Sequence, residues 1–163
     1  MTKDPFATLG VPATMDIDDA DLEARYLGLA RASHPDHAGS DVEAQVAAMA
    51  RSAELNDAYR ELRDPWRRAR ALAERLEPGV LDATKSLDGN FLIEAMELAE
   101  TVDSCTPAGA AGLEARIESR LRDDLASIRT ALAQGDARRA ARKLNEARYW
   151  QKARSDLRAR IGA

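Results

Sequence analysis

Apolar positions recur at helical spacing along most of the chain, and no stretch alternates polar and apolar as a half-buried strand would. "DPFATLGVPAT" predicts one or two turns of helix with a proline-marked stop. "DIDDADLEARYLGLARAS" predicts a second helix. Its acids Asp16, Asp18, Asp19 and Asp21 suit a helix N-terminus, and Leu22, Tyr26 and Leu29 form a stripe at i, i+4, i+7. Pro35 should end that helix, because the residue before a proline is pushed out of helical dihedrals. Gly39 and Ser40 then give a turn, and Ser40 or Asp41 can cap a third helix over about 41–63. Its apolar stripe is expected to run through Val42, Val46, Met49 and Ala53, then Leu55, Ala58, Tyr59 and Leu62. Asp64 can cap a short fourth helix, with Pro65 in its first turn and Pro78-Gly79 at its close.

A linker is expected at 77–87. A second helical set follows, with helices near 88–104, 109–134 and 136–161. Pro107 and Gly109 separate the first pair, and Gly135-Asp136 the second. The long middle helix carries Leu113, Ile117, Leu121, Ile128 and Leu132 at helical spacing. The pattern predicts an all-α protein: a small helical unit at 1–76 and a three-helix bundle at 88–163.

Composition sharpens this. Of 163 residues, 45% are hydrophobic and only 4% aromatic, so alanine and leucine fill the apolar positions and favour helix over strand. A single cysteine, Cys105, can form neither an intrachain disulfide nor a metal cage. The start lacks an apolar signal region, and no run approaches the ~20 apolar residues of a membrane span. A cytoplasmic protein is expected. The net charge of −4 is unevenly spread: residues 77–106 carry one basic and seven acidic side chains, residues 107–163 thirteen and seven.

The chemistry concentrates in "RASHPDHAGS", which holds both histidines, His34 and His37. His34, Asp36 and His37 are three possible metal ligands, but no further histidine completes a set and the proline between them restricts geometry, so no metal is expected. No Gly-x-Ser-x-Gly accompanies the His-Asp pair, and Ser33 and Ser40 read as helix-end residues, so no enzyme activity is expected.

The order of short helix, long helix, His-Pro-Asp, long helix, short helix resembles a J-domain, the module by which co-chaperones act on 70-kDa heat-shock ATPases. "LEARYLGLARASHPD" is similar to the family's second helix and loop through Leu22, Tyr26, Leu29, His34, Pro35 and Asp36. "ELNDAYRELRDPWRRARA" is similar to its third helix and the Asp-Pro-x-x-Arg that follows. The resemblance implies a chaperone-binding set of His34, Pro35, Asp36, Arg25 and Arg31. Proline would fix the direction of the corner, Asp36 would pair with a partner arginine, and His34 would hydrogen-bond beside it. Two departures stand out: His37 replaces the family's usual lysine, and the second helix carries few basic residues.

The second set extends the resemblance to the whole chain. In "NFLIEAMELAETVDS", Phe91, Ala95, Leu98 and Val102 share one arc, while Leu92, Ile93 and Met96 project from the opposite one beside Glu97 and Glu100. A bundle helix needs one apolar face, and a second flanked by acids suggests a partner surface or packing on the first unit. This segment, and "ARYWQKARSDL" in the last helix, resemble HscB, the J-type co-chaperone family of iron–sulfur cluster assembly. The resemblance implies an L-shaped protein of the bacterial form. Its bundle would bind an IscU-type scaffold through Leu92, Ile93, Met96, Glu97, Glu100 and Tyr149, while its J-domain stimulates an HscA- or DnaK-type ATPase. It also implies a monomer without a resident cofactor, the cluster being ligated by the scaffold. A J-domain serving a different client, or a nucleic-acid binder using the Arg-rich last helix, are the alternatives.

Overall fold

The computed structural model describes residues 4–33 and 41–161. Among these, all regular structure is helical: α1 Pro5–Leu9, α2 Asp19–Ala32, α3 Val42–Arg63, α4 Pro65–Leu76, α5 Val80–Ala83, α6 Gly89–Asp103, α7 Pro107–Ala133 and α8 Ala137–Ile161. They form two compact units that divide between Arg75 and Leu76.

The helix starts follow capping chemistry. Asp18 Oδ1 accepts from the backbone N–H groups of Ala20 and Asp21, and Asp41 Oδ1 from those of Glu43 and Ala44. Asp64 Oδ1 accepts from Trp66 N at 2.8 Å and Arg67 N at 2.9 Å, and Pro65 fills the first position of α4, where its missing N–H costs nothing. The same logic corrects one boundary. Pro107 does not separate α6 from α7 but opens α7. Gly135, at φ +74°, makes the left-handed turn between α7 and α8.

In the first unit α1 and α2 pack on α3, burying Phe6, Leu9, Leu22, Leu55, Ala58 and Leu62. Tyr26 and Tyr59 stack at 4.3 Å, and the Tyr26 hydroxyl donates to Asn56 Oδ1 at 2.6 Å, so the aromatic pair joins α2 to α3. Arg68 is buried. Its Nε donates to the Leu62 carbonyl at 2.6 Å, its Nη1 to Met15 O at 2.9 Å and Ile17 O at 3.4 Å, and its Nη2 to Asp19 Oδ1 at 3.1 Å. One guanidinium thus ties the end of α3 and the start of α4 to the loop before α2.

The expected stripe on α3 holds only in its C-terminal half. Leu55, Ala58 and Leu62 are buried, but Val42, Val46 and Met49 are 69%, 61% and 63% exposed and Ala53 is exposed too. A 22-residue helix outruns the partners that cover it, since α1 has 5 residues and α2 14.

In the second unit α8 packs against α7, α6 and α5. Its core is Phe91, Leu98 and Val102 from α6, Leu113, Ile117, Leu121, Ile128 and Leu132 from α7, and Leu144, Ala147, Trp150 and Leu157 from α8. Residues 77–87, expected to be a linker, carry α5. Val80 is buried, and the Asn145 side chain on α8 donates to Leu81 O at 3.0 Å, Thr84 O at 3.1 Å and Thr84 Oγ1 at 3.2 Å. Val80 supplies an apolar anchor and Asn145 satisfies carbonyls at the end of the short helix, so this stretch packs on the bundle.

Candidate functional site

The α6 face is built by helical geometry. Phe91, Leu98 and Val102 turn into the bundle and Ala95 is half-buried, which points residues one and two positions after Phe91 outward. Leu92 is 41% exposed, Ile93 57% and Met96 66%, with exposed Glu97 and Glu100 on the same side. Tyr149 on α8 is 42% exposed and meets Phe91 edge-on, with ring centroids 5.6 Å apart and planes at 83°. The phenol ring therefore rests on a core side chain while part of its surface stays in solvent. The arrangement is an apolar ridge with an aromatic on one flank and two carboxylates on another. It can dock an apolar protein surface but carries no nucleophile or acid–base pair.

The chaperone-binding set is placed only in part. His34, Pro35, Asp36 and also His37 lie outside the described residues. Arg25 is exposed on α2, and its Nη2 donates to the Gly10 carbonyl at 2.9 Å, which ties the guanidinium to the C-terminal end of α1. Arg31, in the last turn of the same helix, is exposed. The two are about 120° apart around α2, so they do not form one basic patch. Among the described residues no group of three or more His, Cys, Asp or Glu could hold a metal ion, and no helix is long and apolar enough to cross a membrane.

Sequence reasoning missed the polar network that supports the α6 face from behind. Arg120 Nη1 meets Glu94 Oε1 of α6 at 3.1 Å, its Nε meets Asp124 Oδ2 at 3.2 Å, and its guanidinium lies 4.9 Å from the Trp150 ring centroid. Lys143 of α8 lies 4.0 Å from Asp124 and 2.7 Å from Glu146. Burial of Asp124 pushes its carboxyl above the usual aspartate value; the charges of Arg120 and Lys143 oppose this without reversing it. The signal was present. Asp124 lies three residues after Leu121 and four before Ile128, inside the apolar stripe of α7, where an acid needs a partner.

A cleft of about 310 Å³ lies next to Tyr149, lined by Lys85, Leu87, Asn145, Arg148, Tyr149 and Lys152. Residues 85–88 lead directly into α6, so the cleft adjoins the N-terminal end of the apolar ridge.

Residues 87–158 match the family model of the HSCB C-terminal oligomerisation domain, a span that covers both the ridge and most of the cleft lining. The chain is 33% identical over 161 residues to the co-chaperone protein HscB homolog of Bordetella parapertussis, covering 96% of this chain and 95% of that one. Its structure is similar to chaperone HscB from Vibrio cholerae, with a TM-score of 0.81 and 26% identity over 98% of this chain and 97% of the other. It is also similar to the human co-chaperone protein HscB, with a TM-score of 0.85 and 25% identity over 98% of this chain and 82% of that one. These relatives are named as chaperones or co-chaperones. A J-domain followed by a three-helix bundle, matched along nearly its whole length, makes this chain a member of the HscB co-chaperone family.

Proposed function

We propose that this protein binds an IscU-type iron–sulfur scaffold through its C-terminal bundle and presents it to an HscA- or DnaK-type chaperone, whose ATPase it stimulates through the His-Pro-Asp corner. The observation that carries the first half is the second apolar face of α6. Leu92, Ile93 and Met96 are exposed together with the flanking Tyr149, although the bundle needs only Phe91, Leu98 and Val102 for its own core. Large apolar side chains held exposed on a rigid helix, with an aromatic beside them, are the usual anchors of a protein interface. Glu97 and Glu100 would set its polar rim.

The second half rests on family membership and on the order of the first unit, with His34, Pro35 and Asp36 as the docking corner and Arg25 and Arg31 as auxiliary contacts. One chain carrying both contacts raises the local concentration of scaffold at the ATPase without either contact being tight. The domain reading is a J-domain at 1–76 and a scaffold-binding bundle at 88–163. The protein acts as a monomer in the cytoplasm and contributes no catalytic group or cofactor.

The deciding experiment measures ATP hydrolysis by the chaperone with this protein, with and without scaffold. Stimulation that rises further when scaffold is added is the expected result. Stimulation indifferent to scaffold, with no binding between the two purified proteins, would leave a J-domain with a different client.

A further inference from the structure

The cleft beside Tyr149 differs in character from the ridge it adjoins. Three of its six lining residues are cationic. Arg148 and Lys152 stand one turn apart on α8, and Lys85 faces them from the segment before α6. Lys152 is paired with Asp156 at 2.7 Å. The side chains of Arg148 and Lys85 are exposed and make no ion pair or hydrogen bond among the described residues, Lys85 donating only its backbone N–H, to Asp82 O at 3.3 Å. The walls are fixed. Asn145, at the base, is buried and holds the end of α5 through three hydrogen bonds, so Lys85 projects from a segment anchored to α8. Opposite in sign, Glu97 and Glu100 lie farther along α6.

We propose that this cleft receives a carboxylate side chain of the docked scaffold protein, held by Arg148 and Lys85, and so fixes the orientation in which the scaffold lies on the α6 ridge. The proposal rests on the scaffold-binding reading above and adds to it the charge of the partner residue. Apolar burial of Leu92, Ile93 and Met96 is non-directional and gives affinity with little orientation. A cationic cleft at one end and carboxylates farther along make the ridge polar, so a scaffold surface with acid and base in the matching order docks one way round and the reversed order meets like charges. The guanidinium of Arg148 can take a carboxylate through two parallel N–H···O bonds, and the ammonium of Lys85 adds a point charge from across the cleft. Tyr149 lines the cleft and packs edge-on against Phe91, the core residue that immediately precedes Leu92 of the ridge.

The test uses the full chain and a purified IscU-type scaffold, with affinity measured by titration calorimetry at low and at high salt. Arg148→Glu with Lys85→Glu should weaken binding at low salt by about tenfold or more, and added salt should narrow that gap because it screens the new repulsion. Melting temperature and scaffold-free ATPase stimulation should stay unchanged, since neither side chain holds the fold. A scaffold bearing one acid-to-lysine substitution should regain affinity for the doubly reversed protein and lose it for the unaltered one. Unchanged affinity and salt dependence in the double variant would overturn the cleft assignment while leaving the ridge intact. So would inorganic phosphate that occupies the cleft without competing with scaffold. Failure of the unaltered protein to bind scaffold at all would instead remove the reading on which the cleft assignment stands.

Discussion

Replacing Arg68 by methionine tests whether one buried guanidinium organises the first unit. Methionine keeps the length of the side chain and its contact with the core, so the loss is nearly all polar. The Leu62 carbonyl is in the last turn of α3. The N–H that would reach it from one turn on, that of Trp66, is used by Asp64, so Arg68 Nε is its donor at 2.6 Å. Met15 is itself buried and its carbonyl also depends on Arg68, at 2.9 Å. Two buried acceptors left without donors cost about 1–3 kcal/mol each. The 3.4 Å contact to Ile17 O is long and adds little. The ion pair with Asp19 involves a carboxylate that is 80% exposed, so it contributes at most about 1 kcal/mol. The sum is about 2–7 kcal/mol, a large share of the ~5–15 kcal/mol that holds a domain together. For a unit of this size that corresponds to a fall in melting temperature of about 10 °C or more. Hydrogen exchange followed by mass spectrometry reads the two units separately. Protection should be lost in α2 and α3 and kept in α7 and α8. A variant that melts within about 3 °C of the parent, with protection of α3 unchanged, would show that water replaces the guanidinium at no cost and refute the argument.

Three further outcomes are expected. Replacing Leu92, Ile93 and Met96 together by alanine should cost less than ~0.5 kcal/mol of stability per site but about 2 kcal/mol or more of scaffold affinity, read by thermal melting and calorimetry; early melting with normal binding would contradict both. Asp36→Asn should abolish ATPase stimulation while the circular dichroism spectrum is unchanged, and stimulation at the parental level would end the J-domain reading. Asp124 binds its proton more tightly folded than unfolded, so its contribution favours the bundle at low pH and is lost as pH rises from the ordinary aspartate value through the raised one. Asp124→Asn should remove that decline, read by Trp150 fluorescence during urea unfolding at a series of pH values in a Trp66→Phe background, and an unchanged pH profile would show that the carboxyl is not desolvated.

Helices with strong local signals were legible in the sequence. Asp18, Asp41 and Asp64 each cap the helix that their position predicts. The exposed face of α6 followed from the angular position of Leu92, Ile93 and Met96 alone, because a helix fixes side-chain direction before any partner is known. What depends on contacts between distant residues was not legible. Val42, Val46 and Met49 fit the α3 stripe by period, yet exposure is decided by how far α1 and α2 reach. The 77–87 stretch has linker composition, but Val80 and Asn145, 65 positions apart in the chain, pin it to the bundle. Arg68 stood in a recognised motif, while its partners Met15 and Ile17 lie more than 50 residues away in sequence. The docking roles of His34, Pro35 and Asp36 rest on sequence resemblance.

The network around Arg120 also limits how this bundle can change over generations. Asp124 has its neutralising neighbours on two helices, Arg120 on α7 and Lys143 on α8, and Arg120 in turn holds Glu94 of α6. A lineage that exchanged the cluster for leucines and methionines would end with a bundle at least as stable. The route there runs in one order, since losing Arg120 first strands Asp124 in the core with only Lys143, 4.0 Å away. The permissive first step is to neutralise Asp124 itself, after which Arg120 and Lys143 are free to drift. Descendants of this chain should therefore show arginine at 120 wherever they keep the acid at 124, and variety at 120 only where that acid is gone.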